Sequence, residues 1–184
     1  MSKLIVFNFI TLNGFYKDAS NGIHWHNHEA EEGDYSAEML KQNNILLFGR
    51  TTYEMMSSFW PTEMAISSMP DVAEGMNTAE KIVFSKNLQK ANWNNTTVIS
   101  DNIIEKVRAL KKSSQKDLTI LGSGSIVTQF TEAGLIDAYQ IMIDPTAIGE
   151  GTPMFHNMKQ DLHLTLTKTK VFKSGSVLLC YEKQ

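Results

Sequence analysis

Cysteine and proline are both scarce in this chain of 184 residues, which has one cysteine and four prolines. A single thiol, Cys180, cannot form a disulfide within the chain, so nothing in the sequence indicates an oxidising compartment. The prolines are scattered, and no Pro- or Gly-rich linker divides the chain. We therefore expect one domain over residues 1–184, large enough to bury a core without disulfides or metals.

Long hydrophobic runs and an excess of positive charge are also missing. The apolar run near the N-terminus soon meets Asn8 and Thr11, which is too short for a secretory signal, and no run approaches the roughly 20 residues of a membrane span. The net charge is −3, whereas nucleic-acid-binding proteins usually carry a basic patch. These absences predict a soluble, cytoplasmic protein and argue against one that binds nucleic acid or spans a membrane.

What the chain does contain is an alternation of strands and helices. Apolar, β-rich segments predict strands at 4–10, 45–48, 81–84, 97–99, 118–121 and 136–143. Helical spacing predicts helices at 35–43, 51–59, 102–112 and 125–132. This order is typical of an α/β fold with a mostly parallel sheet covered on both faces. Residues 163–182 predict a terminal antiparallel hairpin that turns at 173–175.

Two segments have no clear pattern. Residues 13–34 are rich in Gly, Asn, His and acids and predict a long irregular loop, a feature that is usually functional or mobile. Residues 60–78 contain Pro61 and Pro70 and are expected to be irregular or weakly helical. The methionines at 55 and 56 are expected to fill the core, although the stretch up to Met76 is also suited to an adaptable pocket wall.

A strand-to-helix turn at Gly49-Arg50-Thr51-Thr52 has the composition of a phosphate site. The start of a helix presents unpaired N–H groups and partial positive charge, which suit a phosphate. Arg50 adds a guanidinium that can bind a phosphate with two hydrogen bonds. A capped helix with a surface arginine explains the same residues, so the motif alone leaves both interpretations open.

A second turn of this kind is Gly122-Ser123-Gly124-Ser125-Ile126, where glycines let the backbone approach a pyrophosphate closely. A lone Gly-Ser-Gly is weak evidence, but two such turns in one small domain favour phosphate binding. Ser85 and Lys86, at the end of the predicted strand 81–84, offer a hydroxyl and an ammonium for a ribose phosphate. A strand that simply exits to solvent is an equally good explanation of that pair.

Four motifs, in order along almost the whole chain, resemble those of the dihydrofolate reductase superfamily. The resemblance is closer to the reductase domain of bacterial riboflavin biosynthesis and its stand-alone relatives. The motifs are Thr11-Leu12-Asn13-Gly14-Phe15, Gly49-Arg50-Thr51-Thr52-Tyr53-Glu54, Gly122-Ser123-Gly124 with Gly134-Leu135-Ile136-Asp137, and Pro145 with Ile148-Gly149-Glu150-Gly151-Thr152-Pro153-Met154-Phe155. The second and the last are fairly specific.

The resemblance implies a dihydrofolate reductase-like three-layer α/β fold, an NADPH cofactor and hydride transfer to a small molecule, with a pterin- or pyrimidine-like heterocycle favoured. It implies that the 2′-phosphate lies near Arg50, Ser85 and Lys86. It places the pyrophosphate on the helix starts at 51–52 and 124–125. The loop 13–34 would close over the nicotinamide, and Ser123 stands where the family has glycine.

Three residues of that loop are the candidate catalytic residues. Asn13 occupies the position at which the family usually has Asp. Trp25 would stack on a flat substrate, although packing of the loop onto the core explains it equally well. Glu31 is chosen among the acids at 29, 31, 32 and 34, because dihydrofolate reductases carry a substrate-binding carboxylate on the helix after the first loop.

Two other functions remain as alternatives. Because Asn13 and the absence of a cleanly aligned carboxylate depart from the family pattern, a non-catalytic nucleotide-binding module of the same fold is the first. The histidines at 24, 26 and 28 are spaced to share one face of an extended segment, so a zinc protein is the second. We interpret these histidines as solvated side chains of a polar loop, and we expect no resident metal.

A homodimer is expected, because relatives of the riboflavin reductase domain commonly pair and a terminal hairpin offers an edge for a partner to cover. Sedimentation velocity at micromolar concentration should show a species of twice the 20.7 kDa of one chain. A single species of monomer mass over that concentration range would contradict the expectation.

Overall fold

A computed structural model of the chain describes residues 1–26 and 29–184. The strands are β1 (Leu4–Thr11), β2 (Phe15–Asp18), β3 (Ile45–Gly49), β4 (Lys81–Phe84), β5 (Thr96–Ile99), β6 (Leu118–Leu121), β7 (Ala138–Asp144), β8 (Gly151–Pro153), β9 (Leu164–Val171) and β10 (Val177–Lys183). The helices are α1 (Ala30–Lys41), α2 (Arg50–Phe59), α3 (Glu63–Ser68), α4 (Pro70–Thr78), α5 (Ile103–Ser113) and α6 (Gly124–Glu132).

The centre of the fold is an eight-stranded sheet in the order β5-β4-β3-β6-β1-β7-β10-β9. The pairs from β5 to β7 are all parallel, and β10 and β9 are added antiparallel. The predicted α/β fold with a terminal antiparallel hairpin is therefore confirmed. Since parallel strands end at one edge, the carboxyl ends of β1, β3, β6 and β7 lie side by side, where ligands bind in such sheets.

The sheet is covered on both faces, because successive side chains of a strand point to opposite sides. In β3, Leu46 and Phe48 pack in one buried cluster with residues of α1, α2 and α4. Leu47 lies in the other cluster, with residues of α5 and α6. No helix in the described part of the chain is long and apolar enough to cross a membrane.

The structure corrects the sequence-based expectation for one segment and decides between two alternatives for another. Residues 13–34 are not one irregular loop, because β2 pairs antiparallel with β8 and α1 already begins at Ala30. The partner of β2 lies more than 130 positions away, so no local pattern could predict that pairing. Of the two alternatives for residues 60–78, irregular or weakly helical, the structure has the helical one, with α3 and α4. Thr62 caps α3, and Pro70 occupies the first turn of α4, where proline is tolerated.

Asp137 joins the starts of two central strands. Its Oδ2 accepts a hydrogen bond from the Leu4 backbone N–H at 2.7 Å and another from Lys111 Nζ at 2.5 Å. Lys111 Nζ also donates to the carbonyl of Leu135 at 2.6 Å. Asp137 therefore has a structural role, because it connects the starts of β1 and β7 to α5. This contact lies at the amino ends of the parallel strands, opposite the edge at which ligands bind in such sheets.

Replacement of Asp137 tests this role. Asp137→Ala should lower the free energy of unfolding by about 2 kcal/mol, because the Leu4 N–H and a mostly buried ammonium lose their acceptor. Urea unfolding followed by circular dichroism measures the loss. The control is Asp101→Ala, which removes an exposed ion pair with Lys106 and should cost less than about 0.5 kcal/mol. Equal losses in the two variants would contradict the assignment.

Candidate functional site

Two adjacent cavities lie at the carboxyl edge of the parallel strands. The first cavity has a volume of about 370 Å³ and lies between β1, α1, α2 and α4. The second cavity has a volume of about 790 Å³ and lies over the starts of α2 and α6. Four residues, Tyr16, Lys17, Thr51 and Thr52, line both cavities. The two cavities therefore share a wall.

The second cavity brings together the two turns that the sequence predicted to bind phosphate. Its lining includes Gly49, Arg50, Thr51, Thr52, Ser123, Gly124 and Ser125. The helices that start there have 10 and 9 residues, long enough for the unpaired N–H groups of their first turns to favour an anion. The predicted residue Ile126 is buried under the turn, so its side chain packs in the core.

Ser123 holds the two turns against each other. Its Oγ accepts a hydrogen bond from the Gly49 N–H at 2.8 Å and donates to the Leu121 carbonyl at 3.0 Å. Its own N–H donates to Thr52 Oγ1 at 3.1 Å. Ser123 has a φ of +58°, so it takes the left-handed conformation for which the family uses glycine. The serine therefore keeps the turn and adds a side-chain bridge to the other turn.

Two glycines allow neighbouring side chains to pack closely against the backbone of the second turn. At Gly122 a side chain would place its Cβ 2.9 Å from Thr52 Cγ2, and at Gly124 the Cβ would lie 2.6 Å from the ring of Tyr16. The Tyr16 ring thus covers the start of α6. Burial raises the pKa of Tyr16, and a hydrogen bond with the Gly124 backbone partly opposes that rise. Tyr16 stays neutral at physiological pH and forms the partition between the cavities.

The three residues predicted to lie near the 2′-phosphate, Arg50, Ser85 and Lys86, have different surroundings. Arg50 Nη1 lies 2.9 Å from both carboxylate oxygens of Glu54, one helical turn on, and about half of each side chain is exposed. Ser85 Oγ accepts hydrogen bonds from the backbone N–H groups of residues 87 and 88. Lys86 is exposed, and neither it nor Ser85 lines the second cavity. A phosphate role for these two residues stays a prediction.

The first cavity has a polar end formed by residues of β1 and α1. Asn8 Nδ2 donates to the Gly122 carbonyl at 3.1 Å, whereas its buried Oδ1 accepts no hydrogen bond from the described residues. Glu32 is 2% exposed, and its Oε1 accepts a hydrogen bond from Ser174. Its buried Oε2 likewise has no hydrogen-bond partner in the described part of the chain. The cavity is thus bordered by two buried acceptors.

A buried histidine–aspartate pair completes this end. Nδ1 of His26 lies 3.0 Å from both carboxylate oxygens of Asp144, and each side chain is 1% exposed. The Phe9 ring stacks on the imidazole with 3.7 Å between ring centroids. His26 lines the first cavity. The interpretation of this histidine as a solvated loop residue is therefore wrong, because a carboxylate at the end of β7 offers it a buried partner.

The remaining wall of the first cavity is apolar and rich in methionine. Met39, Met55, Met56, Met69 and Met76 line it together with Trp60. Met55 and Met56 were expected to fill the core. Met56 does pack against the buried cluster, and both methionines also line this wall. The adaptable pocket wall that the sequence left open at 59–76 is thus present in the structure.

None of the three candidate catalytic residues lines either cavity. Trp25 is 8% exposed and packs its edge against His26. Asn13 Nδ2 donates to the Ile148 carbonyl at 2.8 Å and so holds two loops together. Glu31 accepts a hydrogen bond from the Lys173 N–H at 3.1 Å and pairs with its ammonium at 3.0 Å. The Lys173 backbone hydrogen bond is the main reason that the pKa of Glu31 is lowered.

Several cavity residues were missed by the sequence interpretation, although the sequence carried weak signals. Asn8 is a polar residue inside an apolar strand, and a polar group buried there needs a partner or a ligand. On α1, the spacing of four places Glu32 on the same helix face as Ser36, and both line the first cavity. The carboxylate that lines the first cavity from this face is therefore that of Glu32, the residue after Glu31.

The histidines of the first loop do not form a metal centre in the described part of the chain. His24 Nδ1 lies 2.7 Å from Asp18 Oδ2, whereas His26 bonds Asp144. His28 lies outside the described residues. No three His, Cys, Asp or Glu side chains among residues 1–26 and 29–184 are grouped to hold a metal ion.

Comparison with known sequences places these features in a family. A family profile described as the RibD C-terminal domain matches residues 2–178. The protein YyaP of Bacillus subtilis (strain 168) is 29% identical over 179 residues, which cover 97% of this chain and 94% of that protein.

Solved structures show the same fold. A protein from Shewanella sp. PV-4, described as a riboflavin biosynthesis protein, superposes with a TM-score of 0.77 and 18% identity, covering 99% of both chains. Dihydrofolate reductase from Enterococcus faecalis, in complex with NADP(H) and a compound named RAB-propyl, superposes with a TM-score of 0.67 and 17% identity, covering 99% of this chain and 96% of that chain. The chain thus has the dihydrofolate reductase-like fold that its motifs predicted.

Two substitutions at Ser123 separate its hydrogen bonds from its backbone conformation. Ser123→Ala should cost about 2 kcal/mol of unfolding free energy, because the buried Gly49 N–H loses its acceptor. Ser123→Gly loses the same bond but relieves the left-handed φ, so its loss should be roughly 1 kcal/mol smaller. Guanidinium denaturation of the three proteins measures both values. A larger loss in the glycine variant than in the alanine variant would contradict the argument.

Proposed function

The chain belongs to the RibD C-terminal domain family, and from this we propose that it binds NADPH and reduces a small heterocyclic molecule by hydride transfer. The observation that carries the proposal is the pair of cavities with a common wall. One has the helix starts and hydroxyls that suit phosphates, and the other is apolar with a polar end. A dinucleotide that spans both would bring its reactive ring to the substrate.

The residues of the second cavity fit the phosphates of NADPH. The N–H groups at the starts of α2 and α6 and the hydroxyls of Thr51 and Ser125 would hold the pyrophosphate. The absence of a side chain at Gly124 leaves room for the Tyr16 ring, which would form one wall of the pyrophosphate site. Arg50 would bind the 2′-phosphate, with Ser85 and Lys86 as further proposed ligands beyond the cavity. The 2′-phosphate would then take the place of the Glu54 carboxylate as the ion-pair partner of the Arg50 guanidinium.

The first cavity supplies the conditions for the reaction. When bound, NADPH donates a hydride to an electron-poor carbon of the substrate. The methionine wall and Trp60 exclude water from that end. Oε2 of Glu32 and Oδ1 of Asn8 would each accept an N–H of the substrate. His26, oriented by Asp144 and Phe9, is placed to hold the proton that the reduced bond requires.

Titration with NADPH tests the proposal directly. Quenching of protein fluorescence and enhancement of cofactor fluorescence should both saturate at micromolar NADPH. A panel of pterins, pyrimidines, flavins and small carbonyls, followed by loss of NADPH absorbance, should then identify a reducible class. No binding at millimolar NADPH would refute the proposal, and binding with no turnover across the panel would favour the non-catalytic module.

Arg50→Ala should weaken NADPH binding about tenfold to a hundredfold and leave NADH binding nearly unchanged, because only NADPH carries the 2′-phosphate. Arg108→Ala is the matched control, since Arg108 is exposed on α5 and lines neither cavity. Glu54→Gln should tighten NADPH binding, because it releases the guanidinium from its carboxylate partner. Equal losses for the two cofactors in Arg50→Ala would show that this arginine does not bind the 2′-phosphate.

A further inference from the structure

We infer that the first cavity takes an uncharged or cationic heterocycle that carries an apolar substituent, and that it rejects phosphorylated molecules. This inference rests on the reductase function proposed above and concerns its substrate. It follows from three independent properties of the cavity: its charge, its buried hydrogen-bonding atoms and its methionine wall.

Negative charge dominates the first cavity. Its acidic lining residues are Glu29, Glu32, Asp34 and Asp71, of which the exposed Asp71 pairs with Lys41 at 3.5 Å. Lys17 is its single lysine, and no arginine lines it among the described residues. Lys17 Nζ lies 2.5 Å from Asn21 Oδ1 and belongs equally to the second cavity. The imidazole of His26 already faces a carboxylate, Asp144. A phosphate placed here would meet a buried carboxylate and no dedicated cation, which is strongly unfavourable at low dielectric.

The second cavity has the opposite character. Arg50, Lys17 and Lys159 line it, and two helices begin there. Its one acid, Glu132, already accepts hydrogen bonds from the backbone N–H groups of residues 159 and 160. The groups that can bind a phosphate, basic side chains and helix starts, therefore lie in the second cavity, on the side of Tyr16 proposed for the cofactor. A phosphorylated substrate would need a second set of such groups, and the described residues of the first cavity do not supply one.

The buried polar atoms of the first cavity specify donors on the ligand. Asn8 Oδ1 and Glu32 Oε2 are both acceptors and both lack a hydrogen-bond partner in the described part of the chain. A buried acceptor without a hydrogen-bond donor costs free energy. A ligand that presents N–H groups there removes much of that cost, which favours its binding. Ring N–H and amino groups of a heterocycle meet this requirement, whereas the oxygens of a phosphate would repel both atoms.

The methionine wall specifies the rest of the ligand. Met55, Met56 and Met69 are partly exposed to the cavity, and Trp60 lies beside them. Thioether side chains are flexible and polarisable, so they adapt to flat apolar groups of different shape. Beyond the polar end, the ligand therefore has an aromatic or aliphatic substituent instead of a phosphorylated sugar.

A matched pair of probes tests the inference by isothermal titration calorimetry, with and without saturating NADPH. One probe is 5-benzyl-2-aminopyrimidine, and the other is (2-aminopyrimidin-5-yl)methylphosphonate, which has the same ring and an anionic substituent. The benzyl compound should bind at least about tenfold more tightly, because it buries apolar surface and brings no charge to Glu32. Equal binding, tighter binding of the phosphonate or binding of neither probe would overturn the inference.

A charge added to the wall should reverse part of this preference. Met55→Arg places a cation in the first cavity at a residue that is not packed in the core, so it should improve phosphonate binding by about tenfold. Met64→Arg makes the same change at a side chain that is 67% exposed on α3 and lines neither cavity. It should leave both affinities unchanged. Melting temperatures of the variants show whether the fold is kept, and an equal gain in both variants would contradict the assignment.

The outcomes also separate this inference from the proposed function. Binding of NADPH together with tighter binding of the phosphonate would leave the reductase function standing and overturn only the substrate class. Binding of the benzyl probe without any binding of NADPH would do the reverse, since the measurement without cofactor reports on the first cavity alone.

Discussion

The contact between two strand-to-helix turns is the constraint on which the site depends. Ser123 receives the Gly49 N–H on its hydroxyl and gives its own N–H to Thr52, so β3–α2 and β6–α6 end in one rigid unit. That unit aims two helix starts at the same volume and forms the floor of the second cavity. Asn8 extends the contact to β1 through the Gly122 carbonyl, and thereby connects the floor to the first cavity. A left-handed serine is strained, and three hydrogen bonds compensate for the strain.

The sequence predicted the sheet, most of the helices and both turns, because each rests on local patterns. Apolar runs mark parallel strands that are buried on both faces, and glycine with small hydroxyl residues marks the helix starts at 49–52 and 122–125. The resemblance of the ordered motifs then specified the fold that the comparisons show. The prediction for 13–34 was wrong because β2 depends on a distant partner strand. For 60–78 the sequence left a helix and an irregular stretch open, because proline is compatible with both when it occupies the first turn of a helix.

The polar end of the first cavity was beyond local patterns for the same reason. His26 and Asp144 are 118 positions apart, and Glu32 and Ser174 are 142 positions apart. Composition singled out a segment of acids, but it could not show that Glu31 contacts Lys173 whereas Glu32 lines the first cavity. Neighbouring residues of a helix point in different directions, so a shift of one residue moves a side chain to another face. Only the packing of α1 decides which of the two neighbouring carboxylates, Glu31 or Glu32, is buried.

The terminal hairpin therefore belongs to the site as much as to the sheet. Its turn holds α1 at two points, through Lys173 with Glu31 and through Ser174 with Glu32. The second contact occupies one oxygen of Glu32 and leaves the other without a protein donor among the described residues. Because a buried carboxylate oxygen without a donor favours any ligand that donates to it, the hairpin would influence which substrate the proposed reductase accepts. In that proposal the phosphates of the cofactor lie on the other side of Tyr16, so the two cavities would divide their ligands by charge.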